Sequence, residues 1–144
     1  MDEIYLATSP SWEKGKSNIK IGRSCNAEKR KKTYNTHNPE IGFLAVFQTP
    51  SEIFSRYVER SLLFSINRLR VSSTEWYKVD EEKFNSFLEL KTLKDVLVFC
   101  RFETVLTLEE EINECQFIDK EIKEETYKKN LQTYKKIRKE LETI

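Results

Sequence analysis

Four side chains far apart in the chain are of the types that phosphodiester hydrolysis needs: Tyr5, Lys20, Arg30 and Glu59. That reaction requires an activated water, stabilisation of charge on the phosphate oxygens and help for the leaving oxygen. Glu59 offers a hard oxygen ligand for Mg²⁺ or Mn²⁺. Such ions often take one or two protein carboxylates and complete their shell with water and phosphate. Arg30 is always charged and forked, so it can hold a scissile phosphate as negative charge builds. Tyr5 is the candidate to accept a proton from water. A phenol near its ordinary pKa of about 10 is a poor base at neutral pH, so it needs a cation beside it, and Lys20 is the candidate. Taken singly, each residue also has a structural reading. Tyr5 can be an ordinary strand aromatic, Lys20 an edge-strand charge, Arg30 part of a basic face and Glu59 a solvated helix residue.

The chemistry depends on elements that bring these positions together. Ile4 to Ala7 reads as a short strand, Thr8 to Ser17 as a loop with Pro10 and Gly15, and Asn18 to Gly22 as a second strand with apolar and polar residues alternating. The two strands make a hairpin. Asn26 is a good helix N-cap, and the helix it starts runs to about Tyr34 with Arg30 and Tyr34 on one face. Ile41 to Gln48 fits a buried central strand. From Pro50-Ser51 a second helix carries Ile53, Phe54, Tyr57, Val58, Leu62, Ile66 and Leu69 towards a core, with Glu59 at the edge of that stripe. Glu75 to Val79 reads as a further strand and Asp80 as the cap of a third helix. The apolar run Leu93 to Phe102 fits helix or strand. From about Thr107, apolar residues three or four apart (Leu108, Ile112, Cys115, Ile122, Leu131, Tyr134, Ile137, Leu141, Ile144) favour long helix or a partial coiled coil, with Asp119 and Thr126 interrupting the repeat.

The ordered motifs Glu3-Ile4-Tyr5, Lys20-Ile21-Gly22, Gly22 to Arg30, and Val58-Glu59-Arg60-Ser61-Leu62-Leu63 resemble the GIY-YIG endonuclease superfamily. The resemblance is to its branch from phages and large DNA viruses, in which Lys-Ile-Gly replaces Tyr-Ile-Gly and a Glu-Trp-aromatic strand, here Glu75-Trp76-Tyr77, follows the Glu helix. It spans about residues 3–79. It implies a small, mainly antiparallel sheet flanked by helices over residues 1–90, with a helical extension over 91–144 for assembly, self-association or partner binding. It further implies a metal-dependent cut in DNA, with RNA as an alternative target. Tyr5, Lys20, Arg30 and Glu59 would be catalytic and Glu59 the ligand of Mg²⁺ or Mn²⁺. Arg23, Lys29, Lys31 and Tyr34 are candidate phosphate or DNA contacts. Three positions depart from the pattern: Glu3 stands where the first motif has Gly, Tyr34 where many members have His, and Leu63 where this branch often has His after the Glu. A non-cutting DNA-binding module of the same fold and a helical interaction protein are the rival readings.

Composition agrees with an ordinary folded domain dominated by regular structure. Three Gly and three Pro in 144 residues leave little room for low-complexity disorder, and 12% aromatics compensate for a modest 38% hydrophobic content. The net charge of +1 hides an asymmetry, for residues 1–80 hold 13 Lys/Arg against 9 Asp/Glu. The basic residues concentrate between Lys16 and Lys32, a local attraction for phosphates on a nearly neutral chain. Cys25, Cys100 and Cys115 have neither disulfide nor zinc spacing. His37 reads as a surface turn residue and Trp76 as a core anchor. No secretory leader or apolar span is evident, so a soluble intracellular protein without membrane contact is expected.

Overall fold

The period-2 alternation of the first fifty residues builds two faces of one sheet. In a computed structural model, which describes residues 2–66, 71 and 74–144, four strands pair antiparallel in the order β3-β1-β2-β4. They are β1 (Asp2–Pro10), β2 (Lys16–Ser24), β3 (Gly42–Thr49) and β4 (Tyr77–Asp80). Ile4, Leu6, Ile19, Ile21 and Phe47 point to one face, where the main core lies. Tyr5 and Ala7 point to the other, where they pack with Ala27, Tyr34, Phe43 and Trp76. The fold is α+β, as the sequence predicts.

The hairpin strands run further than their apolar stretches suggest. Pro10 pairs with Ser17 and Ser9 with Asn18, so half of the expected loop is strand and the true turn is residues 11–15. Polar groups hold this end: Thr8 donates to the Asn18 carbonyl at 3.0 Å, and Asn18 donates to the Pro10 carbonyl at 3.2 Å. Gly15 lies in the turn at φ +78°, a left-handed backbone that glycine adopts without strain.

Helix α1 (Ala27–His37) covers the second face and α2 (Glu52–Ile66) the first. The buried stripe of α2 is Phe54, Ser55, Val58, Ser61, Leu62 and Ile66. It is rotated from the expected one, which leaves Ile53 exposed and Tyr57 half-buried, because two small serines let the helix sit close against the sheet. Leu69 lies outside the described residues. Asp80 caps α3 (Glu81–Leu88), as expected, by accepting from the Lys83 amide. The ambiguous run becomes helix α4 (Leu93–Phe99), because Thr92 and Asp95 form a reciprocal capping box at its start.

The chain from Phe102 onwards makes two helices rather than one. Helix α5 (Phe102–Ile118) and α6 (Glu124–Leu141) form a hairpin whose turn begins at Asp119, one of the interrupting polar positions. Lys120 adopts a positive φ of 59° there, and Phe117 stacks on Tyr127 at 4.3 Å to close the turn. Leu108, Ile112 and Cys115 face solvent, not a core. Instead, Asn113 is buried and takes a 2.8 Å hydrogen bond from Asn130. Leu106, Tyr134 and Ile137 join the sheet's own core, where Tyr134 meets Tyr57 edge-on and Phe102 meets Phe54. Ser51 at the start of α2 donates to Glu140 of α6 at 3.0 Å. Truncating the fully buried Ile137 to Ala should therefore destabilise the whole protein by about 2–5 kcal/mol. Urea unfolding followed by tryptophan fluorescence, which reports on residues near the sheet, checks this. An unchanged midpoint would mean that the hairpin folds apart from the sheet.

Candidate active site

The β1–β2 register sets Tyr5 opposite Gly22 and Ala7 opposite Lys20, so the side chains of Tyr5, Ala7 and Lys20 share the α1 face with the bare backbone of Gly22. The Tyr5 ring lies directly over Gly22: a Cβ there would sit 2.3 Å from Tyr5 Cζ and Oη. The glycine of the second motif is thus a clearance for the tyrosine of the first. Phe43 stacks on the far side of the ring at 4.8 Å and 8°. The phenol is fixed at its tip by Tyr34, whose oxygen is 2.8 Å away.

Helix α1 delivers Tyr34 and Arg30 from above. Asn26 caps it by accepting from the Lys29 amide at 3.1 Å. Glu3 accepts from the Ala27 amide at 3.0 Å, so its carboxylate ties β1 to the helix N-terminus, where a negative charge is favoured. Arg30 and Lys20 flank the Tyr34 ring, their cationic centres 5.6 and 4.7 Å from its centroid. Lys20 is buried, and its ammonium meets Glu75 at 2.5 Å. Arg23 sits beside Asp2 at 3.4 Å and Glu52 at 3.6 Å. Glu59 reaches the same cleft from α2.

Together Tyr5, Lys20, Arg23, Arg30, Glu59 and Glu75 line an open cleft of about 320 Å³. A slightly larger cavity of about 380 Å³ lies among α4, α5 and the last residues of the chain. Its charged groups are Lys94, Arg101 and Glu103, whereas the smaller cleft gathers Lys20, Arg23, Arg30, Glu59 and Glu75.

The electrostatics separate the two phenols. Burial, then the hydrogen bond with Tyr34, holds Tyr5 well above the ordinary phenol range, with Arg30 pulling the other way. For Tyr34 burial also raises the pKa, but hydrogen bonding to Lys20 and Tyr5 and the charge of Lys20 outweigh it and lower the net value. The pair shares one hydrogen bond, and Tyr34 is its more acidic member. Lys20 loses some proton affinity to burial and regains more from Glu75 and Tyr34, so it stays charged. Burial raises Glu59, and the negative charges of Glu75 and Asp2 outweigh part of the relief from Arg23.

The sequence pattern of the T5orf172 domain matches residues 3–101. The chain belongs to the T5orf172 domain family. This family is associated with GIY-YIG-like, phage-endonuclease-like domains. No curated protein and no solved structure matches the chain significantly. The T5orf172 span holds every residue of the cleft and ends at the start of α5.

Of the residues expected in the site, Tyr5, Lys20, Arg23, Arg30 and Glu59 line the cleft, and Tyr34 contacts it through Tyr5. Lys29 and Lys31 do not line it; they lie exposed on α1. Glu75 is a cleft residue that spacing alone marks only as part of a strand motif. Leu63 lines the cleft as an apolar wall.

The donor set suits a hard divalent cation. Among the described residues no three His, Cys, Asp or Glu side chains gather into a closed metal cage. An Mg²⁺-type site does not need one, since water and phosphate supply most of its shell. Glu59 is half-buried at an open cleft and crowded by the like charges of Glu75 and Asp2, a repulsion that a bound cation relieves. No helix among the described residues is long and apolar enough to cross a membrane.

Proposed function

We propose that this cleft hydrolyses DNA phosphodiester bonds with a single divalent cation, Mg²⁺ or Mn²⁺, held by Glu59. The observation that carries the reading is convergence. Two strands and two helices bring a phenol pair, an ammonium, a guanidinium and a carboxylate to one open cleft. When bound, the cation supplies Lewis-acid stabilisation of charge on the phosphate.

The protein groups do the rest. Arg30 and Arg23 hold phosphate oxygens from the cleft wall, and Arg30 strengthens its grip as charge builds. A water proton passes to the Tyr5–Tyr34 pair. The phenolate form of that pair is stabilised by Lys20 and Arg30 on either side of Tyr34. Glu75 keeps Lys20 charged and in place. Lys29 and Lys31, exposed on α1, contact flanking phosphates.

The pair makes a pH prediction. The base must be deprotonated, so the rate should rise with pH through the ionisation of its more acidic member. Tyr34→Phe removes that member and leaves buried Tyr5, whose pKa is raised, so the rising limb should move to higher pH. A pH–rate profile of kcat/KM for both proteins checks this; superimposable limbs would remove the pair from the mechanism.

Labelled duplex DNA, single-stranded DNA and RNA, each with Mg²⁺ and with EDTA, test the function itself. Metal-dependent cutting of DNA is expected. A mobility shift without product under every condition would replace the nuclease reading with a binding module.

A further inference from the structure

Trp12 is fully exposed at the tip of the β1–β2 hairpin, although tryptophan is the costliest side chain to leave in water. It borders a second groove of about 300 Å³, with Trp76, Ser9, Asn18, Asn38 and Ile41. This groove is built on the same sheet face as the candidate active site. Ser9 and Asn18 are cross-strand partners, two residues along each strand from Ala7 and Lys20. The near end of β2 is four residues from Lys20, about 14 Å along the sheet. That is the span of roughly four stacked nucleotides at 3.4 Å each.

The chemistry of the groove differs from that of the cleft. It presents two indoles, two amides and hydroxyls, and the one cation among its described residues, Lys78, is paired with Glu13 at 3.1 Å. Such a surface reads bases, by stacking and by hydrogen bonds to their edges, better than it reads phosphates. Lys14, exposed in the turn beside Trp12, and half-buried Lys16 at the start of β2 supply the attraction for the backbone that carries those bases. The cleft is the groove's neighbour, for Glu75 lines the one and Trp76 the other.

We propose that Trp12 stacks on an unpaired base of the DNA strand, a few nucleotides from the phosphate bound in the cleft. The inference rests on the proposed nuclease reading for its choice of strand, and it deepens that reading. The preferred substrate carries unpaired nucleotides, as an overhang or a splayed junction, on one side of the cut. Trp76, which packs against the Tyr5 cluster, lines the groove, and Trp12 stands exposed at its rim.

The test is equilibrium binding in EDTA, so that no cutting intervenes. Fluorescein-labelled duplexes, one blunt and one with a four-nucleotide overhang, are titrated with the parent, Trp12→Ala and Trp12→Phe, each checked by circular dichroism for unchanged folding. Trp12→Ala should weaken binding to the overhang about tenfold or more, the usual size of a lost base–aromatic stack. Trp12→Phe should recover part of it, and blunt duplex binding should change little. Equal affinities of parent and Trp12→Ala for the overhang would overturn the proposal, as would a parent that binds neither duplex. Metal-dependent cutting by a parent whose binding ignores Trp12 leaves the nuclease reading standing without this inference. Trp12-dependent binding by a parent that never cuts leaves the stacking site standing without the nuclease.

Discussion

Glu59→Gln should abolish metal-dependent cleavage while leaving the protein folded and able to bind DNA. Removing the only carboxylate proposed to hold the cation should forfeit about 4 kcal/mol of transition-state stabilisation, roughly a thousandfold in rate. The fold should tolerate the change. Burial and the neighbouring charges of Glu75 and Asp2 already raise the pKa of Glu59, so a neutral isostere is no worse placed than the carboxylate. Binding should persist, and in EDTA it should tighten slightly, because one negative charge has left a cleft lined by Lys20, Arg23 and Arg30. Single-turnover cleavage and anisotropy on the same oligonucleotide separate these effects. A variant that loses binding and cleavage in parallel would make Glu59 a structural residue.

The second large effect concerns Gly22. An alanine methyl there would fall 2.3 Å from the Tyr5 ring, and neither side has room to yield. Tyr5 is fully buried, stacked on Phe43 and held by Tyr34 at its tip. Gly22→Ala should thus destabilise the fold by about 3 kcal/mol or more, at the upper end for overpacking. It should also displace the phenol and remove most of the activity. Tyr5→Ala in the same chain relieves the clash, so the double variant should be more stable than the sum of the single effects requires. Its activity should stay low. Thermal unfolding of the four proteins gives the coupling directly. Strict additivity would mean that the ring does not lie over Gly22.

Why these positions were partly readable is a matter of range. Lys20-Ile21-Gly22 declares a strand by alternation, and Asn26 declares a helix start by its capping chemistry. Both are local signals. That Tyr34 meets Tyr5 is not local: the two are 29 residues apart, and spacing leaves Tyr34 open between a phosphate contact and a core residue. Glu3 looks like a loss relative to the family pattern until its bond to the α1 amide is seen. The ends of the hairpin are hidden for another reason. Their pairing rests on Thr8, Ser9 and Asn18, whose polar side chains carry no hydrophobic period. In the tail, apolar spacing indicates helix correctly and picks the buried face of α6, with Tyr134 and Ile137, but assigns the wrong face of α5. Leu108 and Ile112 lie outside while Asn113 lies inside, because Asn130 satisfies its amide. Only the polar interruption at Asp119 marks where the helix turns back.

Supercoiled plasmid, incubated with equal amounts of the parent and the Glu59→Ala variant in Mg²⁺ and in EDTA, tests the central claim most directly. The account predicts nicked or linear DNA from the parent in Mg²⁺ alone, and intact plasmid from the variant. Equal cutting by both proteins, or intact plasmid throughout, would contradict it.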